Sequence, residues 1–415
     1  MSTIEATCPV AFPTGRATAR LIGSGLVAFG IFLSGFVLRE PAPYEVFMAG
    51  LIGFWFILGL RLSRTTAVLL SFMLLYITGG MLSLTQLESG LVDGTIYIAV
   101  TFFLLLSAVF YAAVIEDDHQ RLKLIFNAWT ASAVITASLG ILGYFKAFPG
   151  AEIFTRYGRA MGAFQDPNVF GPFLVAPALY LVHGILTGKI KHLPLRGACL
   201  FIITFGTFLS FSRAAWAMYI FSVMMMVLIM FIKERSGAFR LKVLTIVLFG
   251  VILGVVVLVV ALQIPQIAEL LENRTKLVQA YDGDRLGRFA RHQIGFLNAM
   301  SQPLGIGPMV FAKIFPEDEH NIWLKSLTTY GWLGFITYVG LVWTSLWFGF
   351  RYMLRNRPWQ PFLVIAWITL FGHELIGNVI DTDHWRHHFV LFGIVWGCAA
   401  LEHRHQKHKA HKAMP

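Results

Sequence analysis

Apolar residues along the chain gather in runs of roughly 20 separated by short polar breaks, the length a helix needs to cross a hydrocarbon core. Twelve runs are read, at about 19–38, 46–60, 66–85, 94–114, 122–146, 169–187, 196–211, 214–232, 242–262, 322–350, 360–380 and 387–402. The second and seventh are short, and the tenth is long enough to start as a surface turn. The expected fold is all-α: a polytopic membrane protein with about 12 transmembrane helices. No A-x-A-like cleavage site follows the first run, which reads as a retained span. One polar stretch, 263–321, is too long for a simple connector. Inside it Ile267, Leu270, Leu271, Leu277 and Val278 keep helical spacing, as do Leu286, Phe289, Phe296, Leu297 and Met300. Two amphipathic helices lying over the outer membrane face are expected.

Composition narrows the picture. The chain has 415 residues, 57% hydrophobic and only 13% charged. A soluble domain carries about 25% charged residues, so a soluble globule, a disordered chain and a coiled coil are excluded. The net charge of +11 does not point to nucleic acid, because the basic residues sit mostly in the breaks between apolar runs. With a cytoplasmic N-terminus, 20 of the 33 Lys and Arg residues fall on inside loops and tails, which favours N-in and C-in. The organisation expected is 1–262 as spans one to nine, 263–321 as a long periplasmic loop, 322–402 as spans ten to twelve, and 403–415 as a basic cytoplasmic tail. Cys8, Cys199 and Cys398 supply neither a disulfide framework nor a zinc spacing.

Basic residues on the outer side break the orientation rule and need another explanation. Arg156 and Arg159 precede Met161-Gly-Ala-Phe-Gln-Asp-Pro-Asn168. Arg213 lies in Ser210-Phe-Ser-Arg213. Arg285, Arg288 and Arg291 sit on the second loop helix, and Arg386 lies in Asp383-His-Trp-Arg-His-His388. Spans six, eight, ten and twelve all have their N-termini at this face. A helix N-terminus offers free N–H groups and partial positive charge. Asn168, Ser212 and Asp381 or Asp383 are cap candidates. Four such ends with several arginines would form an anion site, and Arg suits bidentate phosphate recognition. A lone outer Arg is ordinarily a snorkelling residue, and Arg39 and Arg274 are read that way.

His320 follows Glu317-Asp-Glu319 and opens span ten at His320-Asn321. It is either a general base or a capping residue. Lys325, one turn further in, is a second cation for the site or another snorkelling side chain. His373 and Glu374 lie inside span eleven, where ionisable groups are functional candidates. Glu374, Asn378 and Asp381 share a face; they either orient a catalytic group or pair with Arg386, and structural pairing is the favoured reading. His384, His387 and His388 with the neighbouring aspartates match no recognised metal spacing, so neither metal nor other cofactor is expected. Walker, Rossmann, G-x-S-x-G and H-E-x-x-H motifs are absent.

These elements resemble one family. Arg159-Ala-Met-Gly-Ala-Phe-Gln-Asp-Pro-Asn168 resembles the R-x-x-G-x-F-x-(D/N)-P-N turn of the O-antigen ligase and polymerase superfamily. Ser210-Phe-Ser-Arg-Ala-Ala-Trp216 is similar to its S-x-S-R-(G/A)-x-W element. Arg288-Phe-Ala-Arg-His-Gln-Ile, followed by Gln302-Pro-Leu-Gly-Ile-Gly-Pro308, resembles its loop helix and P-x-G-x-G stretch. His320-Asn-Ile-Trp-Leu324 with Tyr330-Gly-Trp-Leu-Gly334 resembles the start of its following span. The resemblance implies a metal-independent, inverting glycosyltransferase of the bacterial inner membrane with a periplasmic active site. The donor implied is a glycan on undecaprenyl pyrophosphate. The acceptor is lipid A-core for a ligase or another lipid-linked glycan for a polymerase, with ligation favoured. By motif, Arg213 and Arg288 correspond to pyrophosphate-binding arginines and His320 to the catalytic histidine. Arg159, Asp166, Asn168, Arg285, Arg291, Asn321 and Arg386 are the further substrate-binding candidates, and Trp385, Tyr157 and Phe164 are candidates for stacking on sugars, with core packing the favoured role for Phe164. The family's loop helix often carries Trp four residues after its Arg. His292 stands there instead, which leaves Arg285, Arg288 and Arg291 as alternatives for the inward-facing position. A transporter or flippase for an anionic lipid or solute is the rival class. It would spread polar groups through the membrane depth, whereas here they concentrate at one end.

Overall fold

The computed structural model describes residues 15–59, 61–275, 287–315 and 317–412. Nearly all of their regular structure is helical, as the apolar runs predict. The helices are α1 (Gly15–Leu33), α2 (Pro43–Ile57), α3 (Arg64–Ser83), α4 (Leu91–Asp117), α5 (Arg121–Tyr144), α6 (Pro167–Phe173), α7 (Val175–Thr187), α8 (Leu193–Leu209), α9 (Arg213–Lys233) and α10 (Gly237–Ala261). They continue as α11 (Pro265–Thr275), α12 (Arg288–Met300), α13 (Ile322–Tyr352), α14 (Gln360–Ile376) and α15 (Arg386–Lys412). Eight of the described helices, counting α6 and α7 as one, are long and apolar enough to cross a membrane. Three shorter apolar helices fall in the first, second and eleventh runs. The protein is an all-α polytopic membrane protein.

Each departure from the sequence expectation has a local cause. The sixth run breaks after Phe173, where Pro172 removes a backbone donor within α6. The tenth run does not start as a surface turn. α13 is helical from Ile322, and its extra length contains an interruption at Gly331, with φ 65° and ψ −172°. The last run does not end in a separate tail. α15 continues to Lys412, anchored where Glu402 pairs with Arg355 and Arg357 and where the His403 ring meets Thr65 and Tyr352. A two-stranded hairpin, β1 (Thr155–Arg156) and β2 (Arg159–Ala160), went unforeseen. Its turn residues Tyr157 and Gly158 both have positive φ, the geometry that closes a two-residue hairpin.

The core forms where α4 runs along α15 and α3 along α13, with Trp129, Trp396, Phe110 and Phe126 fully buried. α10 stands apart: nearly all its apolar side chains are exposed, the surface expected of a helix in lipid. Both loop helices lie in the regions expected, with 276–286 outside the described residues. On α12 the protein-facing side carries Arg291, Gly295 and Ala299, while Phe289, Phe296 and Leu297 point outward. The predicted apolar stripe is therefore the exposed face, as befits a helix resting at a membrane interface.

The break in α13 holds this loop in place. The Ile306 amide donates to the Thr328 carbonyl at 2.7 Å, and the Trp332 amide donates to the Pro303 carbonyl at 2.9 Å. The 302–308 turn thus takes up helix-backbone groups freed at the interruption, and it follows α12 directly. A Cβ on Gly331 would lie 2.7 Å from the Pro303 oxygen and 2.8 Å from the Leu304 carbonyl carbon. Gly331→Val combines that clash with a positive-φ, extended-ψ backbone that is essentially confined to glycine, which alone costs roughly 1–3 kcal/mol. The variant is expected to insert, to melt several degrees lower in detergent, and to become protease-sensitive in the 287–310 segment. An unchanged melting temperature and cleavage pattern would remove the docking role of this turn.

Candidate active site

Three structural devices converge at one end of the bundle. The β1–β2 hairpin presents Arg159, whose Nε donates to the Ser210 carbonyl at 2.7 Å and whose Nη2 donates to Asn168 Oδ1 at 2.8 Å. That pair of bonds fastens the hairpin to the starts of α6 and α9. Asp166, not Asn168, caps α6, accepting from the Asn168 amide at 2.6 Å. Ser212 caps α9 as expected, accepting from the Ala215 amide. Arg213 and Arg288 are the first residues of α9 and α12. Each guanidinium therefore stands beside the positive end of its own helix.

A cavity of about 710 Å³ lies between these elements. Its walls carry Arg159, Arg213, Arg274, Arg288, Asp166, Asn168, Glu317, His320, Asp381 and Trp385. Arg274 was read from sequence as a snorkelling residue, but α11 delivers it to this wall. Nothing in its local sequence signals that, because α11 must fold back before Arg274 can face the cavity.

His320 has a positive φ of 49°, and its conformation is held from outside its own helix. Asp381 Oδ2 accepts the His320 amide at 3.2 Å, and Asp381 Oδ1 accepts the Asn321 amide at 2.9 Å. The ring sits between two carboxylates: Nδ1 is 3.9 Å from Asp381 Oδ2, and Nε2 is 3.8 Å from Glu317 Oε2. Asn321 caps α13 through the Leu324 amide at 3.0 Å, so its side chain is used structurally. Lys325 is buried below the cavity, 3.5 Å from Asp381 and 3.6 Å from Glu319. It offsets the charge of the carboxylate that holds His320.

α12 is tied to the same loop. Arg291 Nη2 meets Glu317 at 2.7 Å, and the His292 ring lies 2.8 Å from the Glu319 carbonyl. Of the alternatives for the inward position, Arg288 lines the cavity, Arg291 clamps Glu317, and Arg285 lies outside the described residues. The Arg291 hydrogen bond holds the Glu317 carboxyl below its ordinary range. Burial pushes Glu319 the other way, up to about 7, against the pull of Lys325.

Other expectations are corrected. Arg386 does not reach the cavity; it pairs with Glu40 and Glu45 and ties α15 to α2. Glu374 does not pair with Arg386 but accepts from Tyr338 at 3.0 Å, with His388 at 3.5 Å. His384 bonds Thr101, and His387 packs against Trp129 and Phe173. His387 and His388 both pack against His373, and His384 lies against Tyr97; no metal-holding group of three such side chains occurs among the described residues. Of the aromatic candidates, Trp385 lines the cavity, Phe164 is core, and Tyr157 is exposed beside Arg156.

Residues 198–339 match the family described as O-antigen ligase. This segment is similar to the O-antigen ligase family domain. The match spans about a third of the chain and contains Arg213, Arg288 and His320, while the α6 turn and Asp381 lie outside it. It supports ligase- or polymerase-type glycan transfer in lipopolysaccharide biosynthesis. No curated protein matches the sequence closely.

The buried Glu319 gives a test of the loop's electrostatics. Its folded pKa near 7 exceeds the ordinary 4.5, so between those values the folded state binds more protons than the unfolded state. Stability from this group is full below about pH 4.5 and is lost as pH rises through 7. Melting temperature is expected to fall across that window, and Glu319→Gln is expected to flatten the fall. An identical slope in the variant would contradict the assignment.

Proposed function

We propose that the protein transfers a glycan from undecaprenyl pyrophosphate to a sugar hydroxyl at the periplasmic face, ligating O-antigen to lipid A-core. The observation that carries this reading is that two helix-starting arginines, Arg213 and Arg288, share one cavity with His320. A diphosphate has the charge and geometry that guanidinium forks and helix N-termini bind together. Arg159 and Arg274 add positive charge to the same wall.

The chemistry follows. His320 takes the proton of the acceptor hydroxyl as that oxygen forms a bond to the anomeric carbon. The bond from this carbon to the pyrophosphate oxygen breaks, and its electron pair leaves with the diphosphate. Arg213 and Arg288 stabilise the charge that accumulates there, which is the role usually given to a divalent cation. One displacement inverts the anomeric centre. Asp381 fixes the backbone that carries the imidazole by accepting the His320 and Asn321 amides. Trp385 provides an aromatic wall for a sugar ring. A polymerase would use the same donor chemistry with a second lipid-linked glycan as acceptor.

Arg213→Ala, Arg288→Ala and His320→Ala are each expected to insert normally and lower transfer by roughly 10²-fold or more. Glycan should accumulate on the carrier, and a lipopolysaccharide gel should show bare core. Wild-type surface polysaccharide in all three variants would remove the catalytic roles. Core bearing a single repeat in a strain lacking the gene would favour polymerisation over ligation. EDTA is expected to leave transfer by the purified protein unchanged; strong inhibition reversed by a divalent cation would overturn the metal-independent mechanism.

A further inference from the structure

A second cavity, of about 700 Å³, lies at the opposite end of the bundle from the arginine cavity. α5 and α8 meet closely where Gly206 abuts Ala137. Towards the other end a cleft separates them, floored by α7. Ala131, Val134, Leu181 and Cys199 line its apolar depth, and Lys123 and Arg196 stand with them at the polar end. From Lys123 to Ile135 the α5 wall rises about 18 Å at 1.5 Å per residue, room for a headgroup and the upper part of an acyl chain. Arg196 Nη1 donates to the Gly184 carbonyl, which fixes its guanidinium on the wall. Lys189 and Lys191 stand exposed on the adjoining turn, and no acidic side chain lines the cleft among the described residues.

We propose that this cleft binds an anionic glycerophospholipid, its phosphate between Lys123 and Arg196 and one acyl chain along α5 and α8. The apolar walls suit a chain already in the bilayer. The cationic mouth disfavours a zwitterionic headgroup, whose ammonium would face two like charges. With the arginine cavity at the periplasmic face, as proposed above, the lipid comes from the cytoplasmic leaflet. Basic residues near that surface attract anionic lipid by an amount that favours it roughly fivefold per residue. The site itself does not depend on the proposed reaction, since it shares no residue with the arginine cavity.

The full chain would be placed in phosphatidylethanolamine nanodiscs doped with phosphatidylglycerol or phosphatidylethanolamine carrying a diazirine on the acyl chain. After illumination, crosslinked peptides are mapped by mass spectrometry. Labelling of the 127–135 and 195–199 segments is expected to be about tenfold higher with phosphatidylglycerol, whereas the lipid-facing α10 should take up both probes equally. Lys123→Ala with Arg196→Ala should abolish that excess, as should Ala131→Trp, which fills the cleft and keeps both charges. Equal labelling by the two probes, or an excess that survives both variants, would overturn the proposal. Loss of the excess with polysaccharide transfer intact would support the lipid site whatever the fate of the proposed reaction.

Discussion

The two oxygens of the Asp381 carboxylate accept the backbone amides of His320 and Asn321, and the arrangement of the cavity depends on that grip. His320 occupies a left-handed conformation that a side chain bearing Cβ adopts at a cost. The carboxylate offsets the cost with two charge-assisted bonds. It can do so because Lys325 lies beneath it and neutralises a charge that burial would otherwise make expensive. The imidazole is thereby held by the α14–α15 connection, across the chain from the helix it precedes.

A second constraint operates through α12. One end of that helix offers Arg288 to the cavity, while Arg291 one turn later grips Glu317, three residues before His320. The far end is held by the 302–308 turn seated in the break of α13. The break also lies in the helix that His320 and Asn321 lead into. A displacement of α12 must therefore disturb both the Arg288 guanidinium at the cavity wall and the loop that carries His320. The geometry joins the wall that carries Arg288 and the loop that carries His320 through one short helix.

Hydropathy made the spans legible because burial in hydrocarbon imposes one requirement, length with few charges, on each run independently. The cluster around Arg159, Arg213, Arg288 and His320 was legible for a related reason. Arginines at that face contradict both hydropathy and the orientation pattern, so they stand out. What stayed hidden is pairwise. Arg386 carries the same sequence signal as Arg213, yet Glu40 and Glu45, more than 300 positions away, consume it. Asp381 reads equally as a helix cap, a partner for Arg386 or an orienter of a catalytic group, and only tertiary structure brings it to residues 320 and 321. Arg274 looked interfacial because its helix was judged alone. The Gly331 interruption left a faint trace in the length of the tenth run, but the docking turn that explains it lies some 25 residues earlier.

The exposed apolar surfaces give the cavity a physical context. α12 turns Phe289, Phe296 and Leu297 away from the protein while its first residue, Arg288, lines the cavity. α10 is apolar nearly all round and joins α11, which brings Arg274 to the same wall. Lipid-facing surface and anion-facing charge thus occur on the same short elements, within one or two helical turns of each other. A water-soluble sugar nucleotide would gain nothing from that juxtaposition. The proposed carrier, with a long hydrocarbon tail and a diphosphate head, would gain from both: its tail would stay in the bilayer against these helices, and its head would enter the cavity with little displacement along the membrane normal. In the proposed reaction, the energetic work left for the protein would be to orient a head already at the interface, which four arginines and two helix starts are suited to do.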